Sequence, residues 1–156
     1  MSDQQPQRNS AVTPVDRTLP RRFEALAAEQ PRAPLVVYGE WRLNYRDVNG
    51  AANRLAHRLM ALGVARNVPV GLCLDRGPDL LVAILAVLKA GGAYVPLDPH
   101  WPADRLRRMR GVASPAVLVT RTTFLDTLDG HTGSVVDLDR DQSVIARRAA
   151  VNSGIV

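Results

Sequence analysis

The run from residue 80 to residue 105 constrains the fold of this 156-residue chain more than any other stretch. It begins with the apolar segment LLVAILAVLKA, continues through Gly91-Gly92 into the β-prone segment AYVP, and ends in the proline-rich loop LDPHWP. The apolar segment is well short of the ~20 residues that a membrane-spanning helix needs. Glycine directly after a helix commonly ends it. The run therefore predicts a buried helix, a sharp break, a short strand and a rigid loop that starts another helix.

The segments around this run predict a parallel sheet. Residues 68–74 and 116–120 are apolar without alternation, which is typical of strands that helices cover on both sides. The strand at 68–74, the helix at 78–90 and the strand at 93–96 form one βαβ unit. The other predicted elements are helices at 19–30, 45–62, 102–110 and 122–128, a hairpin at 35–43 and a strand at 134–138. This alternation predicts an α/β fold with a mostly parallel sheet flanked by helices.

Helical periodicity assigns a buried face to each of the first two helices. For the helix at 19–30 this face consists of Leu19, Phe23, Leu26 and Ala27. Asn44 is predicted to cap the helix at 45–62, with Asp47 three residues later. The buried stripe of this second helix is predicted to comprise Val48, Ala52, Leu55, Leu59 and Leu62. Asn53 and His57 fall largely outside the stripe, so we expect His57 to lie on the surface.

Composition predicts one folded unit between two polar ends. Residues 1–18 are polar and lack the apolar core of a signal peptide, so we expect a disordered leader or linker. We expect residues 19–140 to fold, and residues 141–156, which are Arg-rich and then featureless, to form a poorly ordered tail. The single cysteine, Cys73, lies in an apolar run, which favours a small buried residue and a reducing, cytoplasmic setting. No apolar run is long enough to predict a membrane span.

The net charge of +5 does not indicate a nucleic-acid partner. Lys89 is the only lysine among the 20 basic residues, and the arginines are scattered along the chain. Their densest group, at residues 105–110, lacks the interleaved aromatic residues of a nucleic-acid surface. We expect this group to be the solvated face of a helix.

The sequence contains no self-sufficient catalytic pattern. The phosphate-binding patterns GxxxxGK[ST] and GxGxxG and the hydrolase pattern GxSxG are absent. Asp75 follows a parallel strand, where ligand sites of α/β folds gather, but a loop carboxylate is the favoured interpretation. The histidines lack the spacing of metal ligands, and a triplet of aspartates lacks the glycine and distal Glu of a calcium loop: His57, His100, His131, Asp137, Asp139 and Asp141. We assign no catalytic, cofactor-binding or metal-binding residue.

Two motifs resemble those of a known family. Residues 43–48, LNYRDV, resemble a first core motif, usually L-[TS]-Y-x-E-L, with mild departures at Asn44, Asp47 and Val48. Residues 88–99, LKAGGAYVPLDP, match a second core motif, LKAGxAYVPxDP, at every fixed position. In this order they resemble the N-terminal part of the amino-acid adenylation domains of non-ribosomal peptide synthetases, within the adenylate-forming superfamily. The resemblance, which runs from residue 19 to residue 138, implies the first part of that family's large N-terminal subdomain.

The resemblance also implies a reaction, cofactors and partners. The family uses ATP and Mg²⁺ to convert a carboxylate into an acyl-adenylate, and then transfers the acyl group to the phosphopantetheine thiol of a carrier protein. The implied partners are the remainder of an adenylation domain and a carrier domain. The family's phosphate loop, TSGTTGxPK, its amino-acid pocket and its later lysine are absent from this sequence. We therefore expect a partial domain that binds no cofactor and is inactive alone.

Two other classes of function stay open at this point. One is the start of an acyl-CoA or aryl-acid ligase of the same superfamily, although the wording AYVPLDP favours the amino-acid branch. The other is a non-catalytic α/β module for interaction or docking. A complete domain of the family continues the sheet with later strands. We therefore also expect an unpaired sheet edge, exposed apolar surface and self-association.

Overall fold

A computed structural model describes residues 18–154, so the predicted leader at residues 1–18 lies outside the described residues except for Thr18. The elements in chain order are α1 (Leu19–Glu29), β1 (Pro34–Tyr38), β2 (Trp41–Asn44), α2 (Tyr45–Ala61), β3 (Pro69–Cys73), α3 (Pro78–Lys89), β4 (Ala93–Pro96), α4 (Ala103–Ala113), β5 (Val117–Thr120), a 3-10 helix (Thr122–Leu128), β6 (Ser134–Asp137) and α5 (Gln142–Ala146). Except for α5, each lies where the sequence predicts a helix or a strand. Between residues 18 and 154 no helix is long and apolar enough to cross a membrane.

The strands form a parallel sheet and a separate hairpin. The parallel sheet has the order β4-β3-β5-β6, while β1 and β2, among the described strands, pair only with each other, in antiparallel register. Val70 of β3 lies opposite Tyr94 of β4 on one side and Val117 of β5 on the other. The predicted α/β fold with a mostly parallel sheet flanked by helices is confirmed.

Helices cover both faces of the parallel sheet. On one face a core cluster joins α2 and α3 to Val70, Leu72, Val117, Val119 and Val136. On the opposite face a second cluster joins α4 and the 3-10 helix to Cys73 and Leu118. Burial of each such side chain stabilises the fold by about 1.5–3 kcal/mol relative to exposure. The apolar pattern of β3 and β5 is non-alternating because helices cover both faces of these strands, as predicted.

The two residues of the Gly91-Gly92 pair, which follow α3, are glycine for two different reasons. Gly91 has a φ of +80°, a left-handed conformation that glycine adopts without strain. Gly92 lies in a tight space, because a Cβ atom there would be 2.9 Å from Val64 Cγ1 and 3.1 Å from the Val68 carbonyl oxygen. The N–H of Gly92 donates to the carbonyl oxygen of Val87 at 2.9 Å, which closes the last turn. The chain can therefore enter β4 directly beside β3.

The buried face of α1 is confirmed at Phe23 and Ala27 but not at Leu19 and Leu26. Leu19 and Leu26 are exposed, whereas the buried residues are Pro20, Phe23, Glu24 and Ala27. The reason is that the carboxylate of Glu24 accepts a hydrogen bond from Nζ of Lys89, at the buried end of α3. A buried ammonium group needs a charged partner, so Glu24 turns inward and Leu26 turns outward.

Helix α2 follows its prediction except at Asn53 and at Leu62, which is the C-cap residue and only partly buried. The side chain of Asn44 accepts from the backbone N–H of Asp47 at 2.9 Å, so the predicted cap is confirmed. The buried stripe is confirmed at Val48, Ala52, Leu55 and Leu59. Asn53, which was expected largely outside this stripe, is only 1% exposed. It is buried because its amide donates to the carbonyl oxygen of Ala150, in a distant segment that covers this side of α2.

Residues 141–154 contain more regular structure than the poorly ordered tail expected from composition. Helix α5 begins after Asp141, whose carbonyl oxygen accepts from the N–H of Ile145 at 2.9 Å. The side chain of Ile145 packs against the core cluster of α2 and α3. A helix of one turn leaves too short an apolar pattern to be predicted from periodicity. The predicted division of the chain at residues 19 and 140 stays a prediction.

The tight space at Gly92 predicts a loss of stability on substitution. Gly92→Ala should lower the free energy of unfolding by about 1–3 kcal/mol, because the added methyl group overpacks the contact with Val64 and the Val68 carbonyl. Gly111→Ala in α4 is the matched control, since no atom lies within 4 Å of an added Cβ there. It should raise the free energy of unfolding by about 0.5–1 kcal/mol. Urea denaturation measures both, and a Gly92→Ala protein as stable as wild type would contradict the packing.

The edge strand β6 predicts self-association of the chain. In the described part of the chain, β6 pairs on one side only, and its Val135 side chain is 37% exposed. A lysine at such an edge opposes pairing with another chain. In sedimentation velocity, wild type should form larger species as concentration rises, and Val135→Lys should reduce them.

Val144→Lys is the matched control for this experiment, because Val144 is also 37% exposed but lies on α5. This variant should associate like wild type. A wild-type chain that stays monomeric at all concentrations would contradict the prediction.

Candidate functional site

The topology makes the carboxyl ends of β3 and β5 the candidate site. Helix α3 leaves β3 on one face of the sheet, towards β4, and the 3-10 helix leaves β5 on the other face, towards β6. The connections therefore diverge between two neighbouring parallel strands. In open α/β sheets, ligands bind in the crevice outside the strand ends at such a point. The charged side chains nearest these two strand ends in sequence are Asp75 and Arg121.

Arg121 lies at this crevice, where its side chain links α3 to the loop after β6. Its Nε and Nη2 atoms donate to Oδ2 of Asp79 at 2.8 and 2.5 Å. Its Nη1 atom donates to Asp139, whose other carboxylate oxygen accepts from the N–H of Thr122 at 3.0 Å. The hydrogen bond to Asp79 is the main reason that the pKa of Arg121 is raised. Two carboxylates thus already compensate the one cation at this point of the edge.

Asp137, the last residue of β6, is a buried carboxylate that organises the adjoining loops. Its Oδ2 accepts from the hydroxyl of Thr122 at 2.6 Å, and its Oδ1 accepts from the N–H groups of Asp139 and Arg140 at 2.9 and 3.4 Å. Burial by itself raises the pKa of Asp137. The hydrogen bonds and the nearby Arg140 guanidinium together outweigh burial and hold this pKa below its usual range.

Asp75 and His100, which the sequence suggested only as separate loop residues, are neighbours. Oδ1 of Asp75 is 2.8 Å from Nε2 of His100, and both side chains are largely exposed. The loop carries His100 to this place because its N–H donates to Oδ1 of Asp98 at 2.9 Å. The ring of His100 also meets Phe124 edge-on, with centroids 6.0 Å apart. The pair borders an open depression of about 530 Å³. Solvent screens the electrostatic interaction between the two side chains.

The described carboxylates at this edge of the sheet are already paired with other protein groups. Among residues 18–154, no group of three or more His, Cys, Asp or Glu side chains could hold a metal ion. Asp137 and Asp139, two of the aspartates considered for a cation site, already bind Thr122 and Arg121. Burial raises the pKa of the Cys73 thiol, which disfavours a reactive thiolate.

Sequence reasoning missed the buried pair of Glu24 and Lys89. Lys89 is 0% exposed, and burial lowers its pKa while the hydrogen bond to Glu24 opposes that shift. A signal was available, because a lysine at the end of an almost wholly apolar helix needs a partner. The partner itself could not be found by spacing, since it lies 65 residues earlier in the chain.

The low pKa of Asp137 predicts a loss of stability in acid. The unfolded chain takes up this proton first as the pH falls, so the contribution of Asp137 is complete above the usual aspartate pKa and is lost below it. Asp137→Asn should lower the free energy of unfolding at pH 7 by about 1–3 kcal/mol and flatten its decline between about pH 5 and pH 3. Denaturation over this range measures both effects. The exposed Asp126→Asn is the control, and an unchanged acid slope in Asp137→Asn would contradict the assignment.

The chain matches known proteins over most of its length. Residues 23–153 match the family described as AMP-binding enzyme. A linear gramicidin synthase protein of Brevibacillus parabrevis is 39% identical over 132 residues, which are 85% of this chain and 3% of that protein. Malpinin synthetase of Mortierella alpina is 50% identical over 117 residues, which are 75% of this chain and 2% of that protein. The chain thus spans a very small part of the curated relatives it matches.

Solved structures agree with these matches. The non-ribosomal peptide synthetase FmoA3, in its α-methyl-L-serine-AMP-bound form, aligns with a TM-score of 0.80 and 30% identity over 88% of this chain and 15% of that chain. A fatty acyl CoA synthetase of Mycobacterium tuberculosis aligns with a TM-score of 0.80 and 20% identity over 88% of this chain and 30% of that chain, which shows the fold alone. The chain therefore belongs to the AMP-binding enzyme family and is similar to the N-terminal part of the adenylation domains of non-ribosomal peptide synthetases.

Proposed function

We propose that the chain is the opening part of an adenylation domain that activates an amino acid for non-ribosomal peptide synthesis. The observation that carries this proposal is the segment at residues 88–99, which matches a long family motif and forms the crossover from α3 to β4. The relatives at 39% and 50% identity are a linear gramicidin synthase subunit and a malpinin synthetase, and FmoA3, at 30% identity, is a non-ribosomal peptide synthetase. The likeness to a fatty acyl CoA synthetase is only 20% identical, so the amino-acid branch is favoured over an acyl-CoA ligase.

In this proposal the described residues are framework and do not perform the chemistry. Adenylation needs groups that position the phosphates of ATP and compensate the charge that develops on them. At the candidate site the guanidinium of Arg121 is engaged by Asp79 and Asp139. The remainder of the domain would supply the phosphate loop, the amino-acid pocket and Mg²⁺ binding, and a carrier domain would accept the acyl group. A cytoplasmic location is part of the same proposal.

A pyrophosphate-exchange assay tests the inactivity that we propose for these 156 residues. With ATP, Mg²⁺ and each amino acid of a panel, the chain should incorporate no more labelled pyrophosphate into ATP than a blank without protein. A complete adenylation domain from a relative is the positive control that shows the assay to be working. Robust amino-acid-dependent exchange by this chain would overturn the proposal that it is inactive alone.

The coding sequence beyond codon 156 distinguishes the proposed function from a docking module. We expect it to encode a Ser/Thr/Gly-rich phosphate loop of the type TSGTTGxPK, in frame or after a frameshift. Absence of such a loop from every downstream reading frame would favour a non-catalytic interaction module. Capture of a separate polypeptide that carries the missing motifs would favour the same alternative.

A further inference from the structure

Helix α2 carries a polar row beside its buried apolar stripe. Asn49, Asn53 and His57 are spaced four residues apart, so they lie along one side of the helix. All three side chains contact the same segment, residues 150–153, about a hundred residues later in the chain. Asn53 is almost completely buried beneath this segment. The row is therefore a contact surface of the folded chain.

The first two residues of the segment are held by their backbone. Nδ2 of Asn53 donates to the carbonyl oxygen of Ala150 at 2.6 Å. Nε2 of His57 is 3.1 Å from the carbonyl oxygen of Val151. The Val151 side chain is itself exposed, so its identity does not enter these contacts. At these two positions the row contacts only backbone carbonyl groups, which every residue carries.

Asn152 is the residue whose side chain the row contacts. Its Oδ1 atom accepts from Nδ2 of Asn49 at 3.2 Å and from Nδ2 of Asn53 at 3.0 Å, and it lies 3.5 Å from Nζ of Lys89. Next to it, the hydroxyl of Ser153 donates to the carbonyl oxygen of Lys89 at 2.7 Å. Donors from α2 and α3 thus converge on one oxygen. An apolar side chain at this position would leave them without that acceptor.

Lys89 links this contact to the opposite end of the described chain. The same ammonium group donates to Glu24 of α1. The carboxylate of Glu24 is also supported by Arg21, whose Nη1 lies 3.6 Å from Oε2. Helices α1, α2 and α3 therefore meet the segment at residues 150–153 around a single buried cation.

We propose that Asn49, Asn53, His57 and Lys89 form a docking site for the chain's own segment at residues 150–153, with Asn152 as its specificity-determining residue. Docking fixes the place and the direction in which the chain leaves the surface of α2 and α3. In the proposed adenylation domain, whatever follows residue 153 starts from this fixed point, and that consequence alone rests on the proposed function.

Limited proteolysis with trypsin at low protein concentration tests the docking site. Arg148 lies just before the docked segment, and Arg66 lies in an exposed loop between α2 and β3, so cleavage after Arg66 is the internal reference. Asn152→Leu should raise the rate of cleavage after Arg148 by about tenfold relative to that reference, because local opening of the segment becomes easier. Asn152→Asp keeps an acceptor oxygen and should stay within about twofold of wild type.

Val151→Ala is the matched control, because the site contacts only the backbone of this neighbouring residue. It should leave both cleavage rates unchanged. The proposal is overturned if Asn152→Leu leaves cleavage after Arg148 unchanged, or if it accelerates cleavage after Arg148 and Arg66 equally, which would mean general destabilisation. It is also overturned if Val151→Ala or Asn152→Asp behaves like Asn152→Leu. None of these results depends on adenylation activity, so the docking site and the proposed function can fail separately.

Discussion

Burial of β3 on both faces is the constraint on which the rest of the structure depends. Because Val70 and Leu72 face one helical layer and Cys73 faces the other, each side of the sheet must carry its own helices. Parallel neighbouring strands bring these helices with them, because the chain joins two parallel strands through a crossover that is usually a helix. The crossovers then leave in opposite directions, which creates the crevice between β3 and β5. The position of the candidate site thus follows from the need to cover one strand.

Local sequence signals predicted the described helices and strands other than α5. Asn44 caps α2 as predicted, and the predicted break at Gly91-Gly92 ends α3, with Gly91 in a left-handed conformation. These features depend on residues close together in the chain, so a pattern can carry them. The apolar runs of β3 and β5 likewise indicated burial on both faces, and hence the parallel sheet.

The features that sequence reasoning missed depend on partners far apart in the chain. The buried face of α1 is set by the contact of Glu24 with Lys89, which are 65 residues apart. The burial of Asn53 is set by Ala150, which is 97 residues away. The pairing of Asp75 with His100 depends on how two loops meet at one sheet edge. Periodicity carries no information on such pairs, because it describes one helix or strand at a time.

Our proposal separates framework from chemistry in this chain. The segment at residues 88–99 forms the crossover from α3 to β4, whereas the guanidinium of Arg121 at the carboxyl edge is bound by Asp79 and Asp139. Titration of this chain with ATP and Mg²⁺ in a calorimeter tests this separation most directly. We predict no saturable binding, because Arg121 is already compensated by Asp79 and Asp139. Saturable binding of ATP that is lost in Arg121→Ala would contradict the separation, because the described edge would then hold the nucleotide itself.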